Sequence, residues 1–345
     1  MILLNAFTTC WYAGSFNIIL MMATVRSAIY GIAVVIAFST VLKVYHNKTL
    51  ATLPVTVMDY ERNIFLTNSS VTVANVVLPS SIDSGNDTVK CTTVAVMKIT
   101  FPICLYRAET DSPISAYLLR GKYFEGDIVI RFLRLLRLDH RLQLVDIGAN
   151  IGLFSLPAAR ETQVLSVEPN WHSMSRLAKA VDLGAVSSNI TLVHNAISNV
   201  RTTLNMGVHQ ANQGHAFLIN STKCKVTLVG TRCNTLSPTK TILLNDLLPL
   251  MRYKAAVLKV DVEGGEVNIF TESSAAQFFD RIYIPIVLME FSFWRQYSVN
   301  SVNHFLRFFF NRNYTAFNVK NAILHRHHSR WPGLILFKKI PHIQF

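Results

Sequence analysis

Between residues 142 and 291, short apolar runs stop at an acidic or glycine-bearing turn, and most give way to a helical stretch. This alternation constrains the fold more than any other feature of the chain. "LQLVDIG" (142–148) reads as a strand ending in a turn, and "GLFSLPAAR" (152–160) as a helix whose Pro157 must sit in its first turns. "QVLSVEP" (163–169) is a second strand, "HSMSRLAKAVDLGA" (172–185) a helix stopping near Gly184, and "NITLVHNAIS" (189–198) a third strand. "AAVLKVDVEGGE" (255–266) is a strand with its exit loop, "IYIPIVLMEF" (282–291) another strand, and "SVNHFLRFFFNRN" (301–313) a helix. "YTAFNV" (314–319) and "GLILFKK" (333–339) read as a closing antiparallel pair. The pattern predicts an α/β fold, a mostly parallel sheet with helices on both faces. Such sheets bind ligands at the carboxyl ends of their strands.

The first turn is Asp146-x-Gly148-x-Asn150-x-Gly152. A dinucleotide fingerprint needs G-x-G-x-x-G, and Ala149 and Asn150 break it, which disfavours a nicotinamide oxidoreductase. An acid at the strand end suits a cationic or hydroxyl-bearing ligand better than a pyrophosphate. The next strand ends in Glu168, and a carboxylate there can accept hydrogen bonds from both hydroxyls of a ribose. Together these features describe a site for S-adenosylmethionine. Further on, "KVDVEGGE" sets Lys259, Asp261 and Glu263 on one face of an extended segment. Methyl transfer from a sulfonium is an in-line displacement with the acceptor oxygen held about 3 Å from the methyl carbon. A nearby base helps a hydroxyl acceptor lose its proton. Lys259, Asp261 and Glu263 are candidates for that base and for the acceptor anchor, against the blander reading of a salt-bridged strand terminus. No His or third carboxylate at ligand spacing accompanies Asp261 and Glu263, so no metal is expected.

"VDIGANIGLFSLPAA", "VEPN", "VHNAIS", "LLNDLL" and "LKVDVEGGE" follow in an order and spacing similar to those of the FkbM-type methyltransferase family, and "YFEGD" (123–127) resembles its lead-in. The resemblance runs from roughly residue 120 to residue 320. It implies a class I Rossmann-like methyltransferase fold, with a mostly parallel seven-stranded sheet, and methyl transfer from S-adenosyl-L-methionine, usually to a hydroxyl oxygen. Carried onto this chain, it implies that Asp146, Gly148, Asn150 and Gly152 shape the methionine-side loop and that Glu168 holds the ribose. Asn195 and Ala196 would lie near the adenine, and Lys259, Asp261, Glu263 and Glu266 would line the acceptor side. The insertion at 200–241 exceeds the family's simple core and is expected to shape the acceptor pocket. A catalytically silent binding module on the same fold is disfavoured by the presence of Asp146, Glu168 and Asp261.

Composition bears on compartment. Half the residues are hydrophobic and 15% are charged, and the excess sits at the front, where Arg26 is the lone charged side chain of residues 1–42. "SAIYGIAVVIAFSTVL" (27–42) falls short of the ~20 residues that span a bilayer, but the apolar run before Arg26 extends it. A leader over 1–46 with a signal-anchor at about 21–42 is expected. The alternatives are a cleaved signal peptide, with Ala37-Phe38-Ser39 as its cleavage site, and a buried helix. Flanking charge does not set the orientation. Cys91 with Cys104, and Cys224 with Cys233, are local pairs that suit disulfides in an oxidising lumen, against free thiols in a cytosolic protein. Sequons at Asn47, Asn68, Asn86, Asn189, Asn220 and Asn313 lean the same way. Residues 47–115 read as a Ser/Thr/Asn-rich stem and extension, and 116–345 as the methyltransferase domain.

The net charge of +13 gathers partly in "RFLRLLRLDHR" (131–141), a solvated helix face or an attraction to acidic substrate or membrane. "HRHHSR" (325–330) reads as a hairpin loop rather than a metal site. No nucleic-acid-binding motif is recognised. The expectation is a single-pass O-methyltransferase with its catalytic domain in the lumen of the Golgi or endoplasmic reticulum. Its acceptor would carry a hydroxyl, with a glycan suggested by compartment alone. The rival is a cytosol-facing methyltransferase of a small molecule or lipid.

Overall fold

The computed structural model describes residues 74–79, 89–107, 114–209, 212–219, 233–292, 294–324 and 328–339. The leader, the sequons at Asn47, Asn68, Asn86 and Asn220, and Cys224 lie outside the described residues, as does the side chain of Cys233. From the amino end come β1 (Val76–Val77), the pair β2 (Lys90–Val96) and β3 (Ile99–Leu105), and helices α1 (Ile114–Leu119) and α2 (Gly126–Leu138). The alternating part follows as β4 (Leu142–Ile147), α3 (Ser155–Ala158), β5 (Val164–Val167), α4 (Trp171–Leu183) and β6 (Ile190–Val193). Next come β7 (Ala196–Ile197), β8 (Thr203–His209), β9 (Asn212–Ile219) and β10 (Cys233–Ile242). The chain closes with β11 (Ala255–Val260), α5 (Glu266–Ile269), α6 (Glu272–Arg281), β12 (Ile286–Glu290), α7 (Val299–Phe310), β13 (Tyr314–Asn318) and β14 (Leu334–Lys339).

The main sheet has the order β1-β6-β5-β4-β11-β12-β14-β13. β6, β5, β4, β11 and β12 are parallel, while β1 and β14 run against their neighbours. It therefore has eight strands where seven were expected, because Val76 and Val77 pair with Val193 and Leu192 at the edge. β4, β5 and β11 are buried at every position, as strands covered on both faces must be, which is why they read as largely apolar runs in which Gln143, Asp146, Ser166 and Lys259 are buried too. Alternation divides them between two cores. Val145, Ile147, Leu258 and Val260 face α6 and α7, where Phe309 stacks on Phe337 with ring centroids 4.0 Å apart. Leu142, Leu144 and Val257 face α2, α4 and the β2–β3 pair.

Several sequence expectations change. The helix predicted over 152–160 is the single turn α3, with Pro157 inside it. The strand predicted over 189–198 breaks after Val193. β7 leaves the main sheet for a second one, β7-β10-β8-β9, built largely from the insertion. The break is held by Asn195, whose amide accepts from Asn75 N and donates to Lys240 O. Residues 90–105, in the extension, form the β2–β3 pair packed against α4, and Cys91 and Cys104, directly opposed across β2 and β3, are joined as a disulfide. Arg131, Arg134 and Arg137 occupy the exposed face of α2, and Arg137 pairs with Glu161 at 2.7 Å. The Asn189 sequon is tied down: its amide donates to Ala159 O and accepts from Gln163. Among the described residues no helix is long and apolar enough to cross a membrane.

Candidate functional site

Parallel strands deliver their last side chains to one edge of the sheet, and here each central strand delivers an acid there. Asp146 is the last residue but one of β4, Glu168 follows β5, Asp261 follows β11 and Glu290 closes β12. Asp146 is 1% exposed. Its Oδ2 accepts from Ser155 Oγ at 2.6 Å, and Ser166 Oγ lies 2.7 Å from Ser155 Oγ. Its Oδ1 has no aligned donor but has a counter-charge, the Lys259 ammonium at 3.4 Å. That ammonium donates to Gly148 O at 2.6 Å and lies 3.5 Å from Asp261 Oδ2. Burial alone would lower the Lys259 pKa, but the Asp146, Asp261 and Glu125 carboxylates outweigh it and hold the pKa above the ordinary value. Lys259 is therefore a fixed cation that braces two loops, not a base.

The Gly148–Gly152 turn is gripped from both sides. Glu168, buried after β5, accepts from Asn150 N at 2.8 Å through one oxygen and from Asn170 N at 2.7 Å through the other. Each oxygen keeps a second lone pair. Burial pushes the Glu168 pKa up to about 7, against the pull of those two N–H groups and of Lys259. On the other side, Gly148 (φ +78) abuts the Asp261 carbonyl. At Gly152 (φ +96) a Cβ would meet Leu177 at 2.5 Å and Leu156 at 2.9 Å. Packing between backbones and core thus demands these glycines, independently of any ligand.

The residues expected on the acceptor side are placed differently from a single extended face. β11 ends at Val260, so strand alternation does not aim Asp261 and Glu263. They lie on a loop that turns back through Glu263 (φ 55) and Gly264 (φ 102). Glu266 does not line the same space. It is 3% exposed and accepts from Val262 N and Gly264 N, fixing the loop from within, and burial raises its pKa to about 7. In its place the fold supplies Glu290. Asp261, Glu263 and Glu290 each bring one oxygen within 4.8 Å of the others. Glu290 Oε2 is buried and faces no N–H or O–H donor. Its pKa is pushed up to about 9, first by burial and then by the Asp261 and Glu263 charges. Only a shared proton or a cation relieves such crowding. The same three oxygens would seat a divalent ion, a third carboxylate that was not visible from sequence spacing. Glu125, at the N-cap of α2 and likewise raised by burial and by Asp261, adds to the acidic side.

Asp146, Gly148, Lys259 and Asp261 thus converge, with Asn150 and Glu168 on the flank. Asn195 is 1% exposed, with its amide committed to the two backbone partners named above, and Ala196 is buried beside it in β7. Sequence reasoning missed Glu290, Glu125 and Ser155. The signal for Glu290 was present: "LME" carries an acid at its strand's carboxyl end, as "VD" and "VE" do near theirs.

Residues 146–316 match the family described as Methyltransferase FkbM domain. No curated protein matches the chain by sequence. Similar solved structures include a precorrin-6y C5,15-methyltransferase from Geobacter metallireducens, 12% identical over 62% of this chain and 89% of that one, with a TM-score of 0.33. Another is an S-adenosylmethionine-dependent O-methyltransferase from Thermotoga maritima, 8% identical over 73% of this chain and 78% of that one, with a TM-score of 0.32. Likenesses this distant speak to neither substrate nor mechanism.

Proposed function

We propose, for a chain that belongs over residues 146–316 to the FkbM methyltransferase family, S-adenosylmethionine-dependent transfer of a methyl group to a hydroxyl oxygen. The observation that carries this reading is the run of carboxylates at the strand ends. The chain as a whole is strongly basic, yet Glu125, Asp146, Glu168, Asp261, Glu263 and Glu290 gather on this edge, with Lys259 paired to Asp146 and Asp261 among them. An acidic excess of this kind favours a sulfonium over a phosphate.

The bound cofactor supplies an electrophilic methyl group on sulfur. Glu168 has lone pairs left for the two ribose hydroxyls, and the turn it holds through Asn150 N offers backbone groups to the rest. Lys259 fixes Gly148 and Asp261 relative to each other, so the cofactor loop and the acceptor side keep one spacing. Asp261 has a side chain 37% exposed, so an acceptor can reach it. An alcohol oxygen becomes strongly acidic as it gains a methyl group, so a carboxylate within reach suffices to take its proton. Asp261 is assigned that role, with Glu263 beside it. Glu290, its pKa raised by burial and by these two charges, brings a proton to the group and limits the repulsion within it.

The lumenal setting, the membrane anchor at about 21–42 and a glycan acceptor extend the proposal. The Cys91–Cys104 disulfide supports an oxidising compartment. The cytosol-facing rival would carry those cysteines reduced. The test is incubation of the full chain with radiolabelled S-adenosylmethionine and a panel of glycans, lipids and small alcohols. Label in a base-stable ether supports the reading. Label in no hydroxyl compound of the panel, with transfer to amines or thiols instead, overturns it.

A further inference from the structure

Tyr106 lies outside the matched family region, at the end of the disulfide-joined β2–β3 pair, and is 3% exposed. The Arg176 guanidinium sits 4.0 Å over its ring and donates to Leu105 O and to His172 O. The Tyr106 hydroxyl is 2.8 Å from Ser173 Oγ, and Ser173 Oγ donates to Asn150 Oδ1 at 3.3 Å. Asn150 Nδ2 donates in turn to Gly214 O, on β9 of the inserted sheet. Asn170 Nδ2 approaches the Tyr106 oxygen at 3.4 Å, while Asn170 Oδ1 accepts from His172 N.

Both ends of this chain are backbone groups of fixed polarity, so its direction is determined. The His172 N–H can only donate, which sets Asn170 Oδ1 toward it and Nδ2 toward Tyr106. The Gly214 carbonyl can only accept, which sets Asn150 Nδ2 toward it and Oδ1 toward Ser173. Ser173 has one proton and gives it to Asn150, so Tyr106 must give its own to Ser173.

We propose that Tyr106 is a positioning residue for the cofactor loop, acting through Ser173 to orient the Asn150 amide so that it latches the inserted pair β8–β9 across that loop. This rests on the reading of residues 148–152 as the cofactor loop. It gives the insertion a task on the cofactor side, where its sequence suggested the acceptor side. It also makes residues before the family match part of the binding machinery.

The test uses the full chain and the variants Tyr106→Phe, Ser173→Ala and Asn150→Asp, the last replacing the donor to Gly214 by a carboxylate. Amide hydrogen exchange is followed without ligand, and S-adenosylhomocysteine affinity is measured by calorimetry. Loss of one such hydrogen bond is worth about three- to tenfold. Ser173→Ala and Asn150→Asp should speed exchange in residues 203–219 by about that factor and weaken binding alike, with a smaller effect from Tyr106→Phe. The Tyr106→Phe/Ser173→Ala double variant should be no worse than Ser173→Ala alone, a non-additivity that general destabilisation would not produce. Unchanged exchange at 203–219 in both Ser173→Ala and Asn150→Asp overturns the latch, whatever the binding result. Wild-type protein that binds no S-adenosylhomocysteine overturns the cofactor reading and the positioning role together, even if exchange responds.

Discussion

Gly148 and Asp261 touch backbone to backbone: a Cβ built on Gly148 would stand 1.7 Å from the Asp261 carbonyl oxygen. The contact joins the turn after β4 to the loop after β11, so the spacing of the two halves of the site is set by the absence of a side chain. Gly148→Ala meets both that oxygen and a φ of +78, with neither loop free to yield. A cost of about 3 kcal/mol or more is expected, which would lower the melting temperature by about 6–12 °C. A melt within about 1 °C of wild type would show that the loops part easily.

Glu168 has two tasks that one pair of substitutions separates. Glu168→Gln keeps one oxygen acceptor for Asn150 N or Asn170 N, whereas Glu168→Ala leaves both N–H groups without it. Cofactor affinity should fall by about ten- to a hundredfold in the alanine variant and by less in the glutamine variant. Calorimetric titration with S-adenosylhomocysteine reads the difference directly. Equal affinities for wild type and Glu168→Ala would remove Glu168 from the ribose site.

Chemistry should separate from binding at Asp261. Asp261→Asn is expected to leave cofactor affinity within about threefold while turnover falls by about 10²–10⁴. Glu263→Gln is the comparison, since the two carboxylates are neighbours and could exchange roles. Turnover is also expected to be insensitive to chelators, because the proton on Glu290 already relieves the crowding. Activity lost to chelation and restored by a divalent ion would reassign the three carboxylates as ligands. Near-normal turnover in both variants would leave this loop as structure only.

Glu290 makes a prediction about pH. A carboxyl raised from 4.5 to about 9 takes up a proton on folding, so the native state binds more protons than the unfolded chain across that window. Its contribution is fully present below the unfolded value and is lost as pH rises toward about 9. Glu168 and Glu266, each raised to about 7, slope the same way at lower pH. Glu290→Gln carries no titrating proton. Its melting temperature should fall less than that of wild type between neutral pH and pH ~9. Parallel pH profiles for the two proteins would mean that Glu290 titrates normally.

The sheet was legible in the sequence because its central strands are buried on both faces, and burial on both faces writes a largely apolar run. The acids at the ends of those runs were legible because each stands just before or inside a turn. Glu266 was misplaced because a sequence shows that an acid follows a glycine pair but not that it folds back beneath it. The break at Asn195 was hidden by the apolar Ala196 and Ile197, which extend the pattern of β6 while belonging to another sheet. Glu290 escaped notice because its partners lie on the loop after β11, distant in sequence and adjacent only once the strands are ordered.

Lys259 and Gly148 stand 111 residues apart in the chain and meet through one ammonium. During synthesis the Asp146 end of the site therefore emerges from the ribosome long before its counter-ion does. β4, β5 and β6 are neighbours and can assemble as soon as they are made, but β4 then waits with one flank open for β11. Until it docks, sealing Asp146 from water would strand an acid without its cation, which is costly. The nascent chain is thereby kept from closing its first half prematurely. The cofactor site becomes chemically complete only when the segment bearing the acceptor-side acids has joined it.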